Sequence, residues 1–176
     1  MQACREHGFL YPGAMKRSLE EYGVEVMEIL IDIPALQNKW LLEHGLAPKP
    51  ESMNQNDQEE ILFQQLKEFK PDVVYFQSLF PLAHAARKRI KKAIPSVKVI
   101  CGHRGFPCFD CSDYDDVDCM FLGYTKHHDY WHQYGVRTFH SNHCFDETLI
   151  PNINKNIEAV PLRDFTFIGT TGYGFI

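Results

Sequence analysis

Short apolar, β-branched runs alternate with segments of helical periodicity along the whole chain, and this alternation constrains the fold more than any other feature. Val24–Asp32 starts as an alternating strand, with Val24, Val26 and Ile29 inward, and ends as a buried run. Asp72–Gln77, Val97–Gly102 and Asp118–Gly123 read as short buried strands, Arg137–His140 as a weaker one, and Asp164–Gly169 as a last one near the C-terminus. Helix signals fill the gaps. Ala14–Tyr22 has a helical pattern, and Pro34 and Gly45 have the chemistry to open and close the next helix. Asn56 and Glu59 have capping-box spacing ahead of Leu62, Leu66 and Phe69, and Pro71 stops that helix. Ser78 or a neighbour caps a helix whose Leu82, Ala86, Ile90 and Ala93 share a face. Thr125 caps Lys126–Tyr134, which Gly135 closes. Strands joined through helices predict an α/β fold, a Rossmann-like parallel sheet with helices on both faces. Ligands of such sheets bind at the C-terminal ends of strands, beside a topological switch point.

With 176 residues, 44% of them hydrophobic, the chain is long enough for one sizeable core. A formal net charge of -5 speaks against a nucleic-acid partner, which needs a basic face. No apolar run reaches the roughly 20 residues that span a bilayer, and Met1–His7 lacks the apolar centre of a signal peptide. Six cysteines at this length predict reduced thiols and a cytoplasmic setting.

Candidate chemistry is therefore sought just after the strands. Cys101–Pro107 follows a central strand: Gly102 and Gly105 leave room for a ligand, His103 has the pKa of a proton acceptor, and Arg104 can hold an anion. Gln77 and Ser78 end the preceding strand and can bond a sugar, although capping suits Ser78 as well. Gly169-x-x-Gly172-x-Gly174 can offer backbone N–H groups to a phosphate, or be a plain turn. Cys108 and Cys111 form one C-x-x-C pair near Cys101, His103 and Cys119. A tetrahedral zinc site usually takes two such pairs, and the surrounding aspartates disfavour a thiolate, so no zinc and no disulfide framework is expected. His128 and His132 share a helix face, but Asp129 stands where a zincin motif has Glu, so a polar surface explains them. Arg87, Lys88, Lys91 and Lys92 read as a solvated stripe, with contact to an anionic membrane surface the less favoured role.

Leu36–Trp40 followed by Glu43-His44-Gly45, the run Lys70–Tyr75, and above all Asp164–Gly169 resemble GT-B glycosyltransferases, most closely the group that includes the spore-maturation CgeB-like proteins. Cys144–Asp146 followed by Ile150-Pro151 is similar to the linker by which such enzymes leave their first domain. The resemblance implies that residues 1–160 form the N-terminal, acceptor-side domain. It implies that 161–176 begin the C-terminal nucleotide-sugar domain, with Gly169, Thr170, Thr171 and Gly172 facing the donor diphosphate. The enzyme it implies moves a sugar from a nucleotide-diphosphate donor to an acceptor hydroxyl, with no cofactor and no obligatory metal. A glycine loop that feeds no helix predicts that the chain ends just inside this second domain, so the chain alone is expected to be inactive. A stand-alone flavodoxin-like or receiver-like binding module and a zinc-stabilised interaction domain are the alternatives.

Overall fold

The computed structural model describes residues 13–79, 82–105, 112–142 and 150–151. All but the last two belong to the first of two compact units, Met1–Cys144 and Phe145–Ile176. The expected strand Asp164–Gly169, the glycine loop with Gly169, Thr170, Thr171 and Gly172, the linker Cys144–Asp146 and the Cys108/Cys111 pair lie outside the described residues.

The architecture is α/β. Four strands, β1 (Val73–Phe76), β2 (Val99–Arg104), β3 (Cys119–Leu122) and β4 (Arg137–His140), form a parallel sheet in the order β1-β2-β3-β4. The helices are α1 (Ala14–Glu21), α2 (Pro34–Glu43), α3 (Gln55–Phe69), α4 (His84–Ala93) and α5 (His128–Gln133), with short 3-10 turns at Ser112–Tyr114 and Thr125–His127. Pro34 occupies the first turn of α2, and Gly45 follows that helix with φ of 68°, a backbone that glycine adopts without strain. Gly135, with φ of 75°, closes α5 in the same way. The box that starts α3 sits two residues ahead of the predicted one. Asn54 Oδ1 accepts the Asp57 N–H at 3.0 Å, and Asp57 Oδ2 accepts the Asn54 N–H at 3.4 Å.

One face of the sheet makes the core. Ile100, Met120 and Leu122 pack with Leu62 and Leu66 of α3, Ala86 and Ile90 of α4 and Trp131 of α5, all buried, and Val74 and Phe76 lean on the same cluster. Strands that follow one another across a sheet through right-handed crossovers take those crossovers on one side, which is why α4 and α5, the helices between strands, share a cluster. Among the described strands the order never reverses, so the expected switch point is not found among them. Val24–Asp32 departs from expectation. It makes no sheet ladder among the described residues, although Ile29 and Ile31 still pack against the core. Its backbone is engaged locally: the Leu30 carbonyl accepts from Gln37 Nε2 at 2.7 Å. Alternating apolar residues report burial, and burial does not require ladder pairing.

Candidate functional site

Strand β2 runs two residues further than its apolar run suggests, so His103 and Arg104 are strand residues and not loop residues. The register explains this, because His103 pairs with Phe121 and Arg104 with Leu122, and the Arg104 carbonyl accepts the Gly123 N–H at 3.3 Å. Alternation along a strand then divides the candidates between two faces.

Gly102 and Arg104 belong to the core face. A Cβ on Gly102 would lie 3.1 Å from Met120 Sδ, and 3.3 Å from both Leu79 Cδ1 and the Phe76 carbonyl oxygen. Gly102 is therefore a packing glycine, and the room predicted there for a ligand is filled by protein. Arg104 donates from Nη1 to the Tyr114 hydroxyl at 3.0 Å and lies over the Tyr114 ring at 6.0 Å. Arg104 thus braces the segment before β3.

His103 belongs to the other face, half-buried at the C-terminal end of a central strand. Tyr75, Cys101 and Cys119 form one row across this face, and His103, Phe121 and Phe139 form the next. The Phe121 ring lies 6.3 Å from Tyr75 and 5.7 Å from Phe139, and Phe139 is 45% exposed. Gln77, two residues beyond Tyr75, accepts a 3.0 Å hydrogen bond from the Tyr75 hydroxyl through Oε1. Gln77 and His103 therefore lie at the same end of neighbouring strands, with an aromatic row beside them. Gly105 follows β2 and is half-buried. Ser78 is exposed and caps nothing: the residue ahead of α4 is Ala83, five positions on, without a side-chain cap bond.

Burial sets the acidity of this face. It pushes the Tyr75 hydroxyl up to about 12, helped by nearby Cys101. Burial also pushes the Cys101 thiol up to about 12, with Cys119 the next contributor; Cys119 is itself raised by burial and Asp118. Both cysteines are free thiols, protonated at neutral pH and so poor nucleophiles and poor metal ligands.

Two sequence readings change around α4. Arg87 is no member of a solvated stripe, being only 4% exposed. It grips Asp116 through Nε at 3.0 Å and Nη2 at 3.1 Å, donates to the Leu79 and Leu82 carbonyls, and covers the Tyr114 ring at 5.4 Å. Lys88 and Lys91 do reach the surface, but Asp115 and Asp118 meet them at 2.8 and 2.6 Å, which removes much of the charge a membrane would read. No described helix is long and apolar enough to cross a membrane. His84, Asp115 and Asp116 bring one ligand atom each within 4.8 Å of one another, the arrangement of a cation site. Arg87 and Lys88 already neutralise both carboxylates, so the cluster is an ion-pair network tying α4 to residues 113–116. A depression of 230 Å³ between Glu25, Met27, Trp40, Gln65, Glu68 and Phe69 contains none of the candidates and is smaller than a typical ligand pocket.

No protein-family model, curated protein or solved structure matches the chain.

Proposed function

We propose that this chain is the acceptor-side domain of a GT-B glycosyltransferase, which moves a sugar from a nucleotide-diphosphate donor to an acceptor hydroxyl. The observation that supports the reading is the pair His103 and Gln77 at the same end of neighbouring strands, beside the row Phe121 and Phe139. It lies at the C-terminal end of a central parallel strand, where α/β folds place their ligands. Aromatic faces suit the apolar C–H face of a saccharide, and Gln77 offers an amide to its hydroxyls. His103 would accept the proton of the acceptor hydroxyl as its oxygen bonds to the anomeric carbon. The bond from that carbon to the donor oxygen breaks, and the departing diphosphate takes the electron pair. Gly169, Thr170, Thr171 and Gly172 are the proposed donor contacts, through backbone N–H groups that stabilise the charge on the leaving group. Gly102, packed into the core, has no part in this scheme.

Saccharides titrated into the chain test the acceptor half. Backbone NMR signals of Gln77, His103 and Phe139 are expected to shift together. Shifts confined to the depression around Trp40 would contradict the assignment. Isothermal titration of the chain with common sugar nucleotides is expected to show no binding; micromolar affinity would refute the two-domain reading.

A further inference from the structure

Two histidines share one threonine hydroxyl where α5 meets β4, and a third ring lies close to one of them. His128 and His132 are one helical turn apart on α5, while Thr138 and His140 are two residues apart on β4. Thr138 Oγ1 lies 2.7 Å from His128 Nδ1 and 2.8 Å from His132 Nε2. A hydroxyl has one hydrogen to give, so with neutral rings one histidine donates to Thr138 and the other accepts from it. The remaining nitrogen of His128, Nε2, is buried and has no hydrogen-bond partner. A hydrogen on Nε2 would be a buried, unpaired donor, which is the costlier alternative. The hydrogen of His128 therefore sits on Nδ1, donated to Thr138, and Nε2 carries an unpaired lone pair. His140 repeats the pattern. Its Nε2 stands 2.9 Å from Asn142 Oδ1, an acceptor, so Nε2 carries the hydrogen and Nδ1 the lone pair.

A ring whose one N–H is held by an oxygen while its other nitrogen offers a lone pair is prepared as a metal ligand. The His128 and His140 rings are 6.4 Å apart between centroids. Two imidazoles bound at about 2.0–2.1 Å to one tetrahedral ion have centroids about 5 Å apart, so the two rings must draw closer to share an ion. His132 is also 6.4 Å from His128, edge-on to it, and the shared Thr138 hydroxyl holds both rings. We infer that His128 Nε2 and His140 Nδ1 bind one zinc-class divalent cation, with water completing its shell, and that the ion clamps α5 to β4. Imidazole ligands select zinc, copper or nickel over magnesium and calcium. Thr138 is a positioning residue, fixing the His128 tautomer without touching the ion. The site is independent of the transferase reading and lies on the opposite sheet face from His103.

Zinc chloride titrated into the chelator-stripped chain, followed by calorimetry and by histidine-ring ¹⁵N NMR, tests this. One ion per chain is expected, with the His128 and His140 ring signals shifting together and magnesium chloride moving neither. His140 is exposed, so His140→Ala keeps the fold, checked by circular dichroism; it should weaken zinc at least about tenfold. Thr138→Val should weaken zinc and alter the His128 tautomer signature in the metal-free spectrum. The inference is overturned if zinc does not bind, if His140→Ala binds it as wild type does, or if cobalt shows thiolate charge-transfer absorption that marks a cysteine-held ion.

Discussion

Arg87 joins α4 to the segments on either side of it, and its loss exposes the logic of a buried ion pair. Its guanidinium answers Asp116, whose side chain is 2% exposed, together with the Leu79 and Leu82 carbonyls. Removing either charge strands the other away from water. Arg87→Ala or Asp116→Asn is expected to lower unfolding free energy by about 3–5 kcal/mol in urea titration, whereas the apolar pair Arg87→Met with Asp116→Leu should cost far less. At Gly102 the limit is steric. Gly102→Ala forces Met120 or the Phe76 carbonyl to shift, and about 1–3 kcal/mol of stability should be lost. Cys101 and Tyr75 make stability depend on alkaline pH. Their ordinary values are 9.0 and 10.0, and both are raised to about 12 in the folded chain. Between those limits the unfolded chain binds fewer protons than the native one, so stability falls as pH rises. Tm should decline from about pH 9 towards about pH 12, and Tyr75→Phe should reduce the part of the decline above about pH 10. A Tm that is flat across this window, or identical in Tyr75→Phe, would show that these groups stay solvated.

At the scale of the element, local signals were legible where the physics is local. Pro34, Gly45 and Gly135 punctuate helices by backbone geometry alone, and each does so at the position read from the sequence. The start of α3 was harder to read because Asn54, Asn56 and Asp57 offer competing caps, and only the structure selects Asn54. Asn54→Ala should cost about 0.5–2 kcal/mol by thermal or urea unfolding, and exposed Asn56→Ala close to nothing; the reverse order would restore the sequence reading. The end of β2 was misread for another reason. Gly-His-Arg-Gly looks like a loop by composition, yet β3 supplies partners for its backbone, and pairing across some 18 residues leaves no local trace. Val24–Asp32 errs in the opposite direction, with apolar alternation present and ladder absent. Ion-pair partners are equally non-local: Arg87 sits in a basic run, and nothing near it in sequence announces Asp116.

For the molecule as a whole, the sheet order decides what each face can do. The helix before β1 and the helices between strands, α3, α4 and α5, share one face, and the other keeps Phe139 and Val73 largely exposed, at 45% and 53%. His103 and Gln77 fall at one end of that second face, so two of the residues chosen from the sequence share a face, while Gly102 is absorbed by the core and Arg104 is bonded to Tyr114. A site divided by strand alternation could be foreseen only once the strand ends were known. The central claim is that His103 takes the proton of an acceptor hydroxyl during sugar transfer. The most direct measurement is donor-sugar turnover by the protein at its full native length, comparing wild type with His103→Ala. The account predicts that kcat falls by about 10²–10⁴-fold while donor KM and Tm stay near wild type. Full turnover in the variant, or no sugar transfer from any nucleotide donor by the wild type, would contradict it.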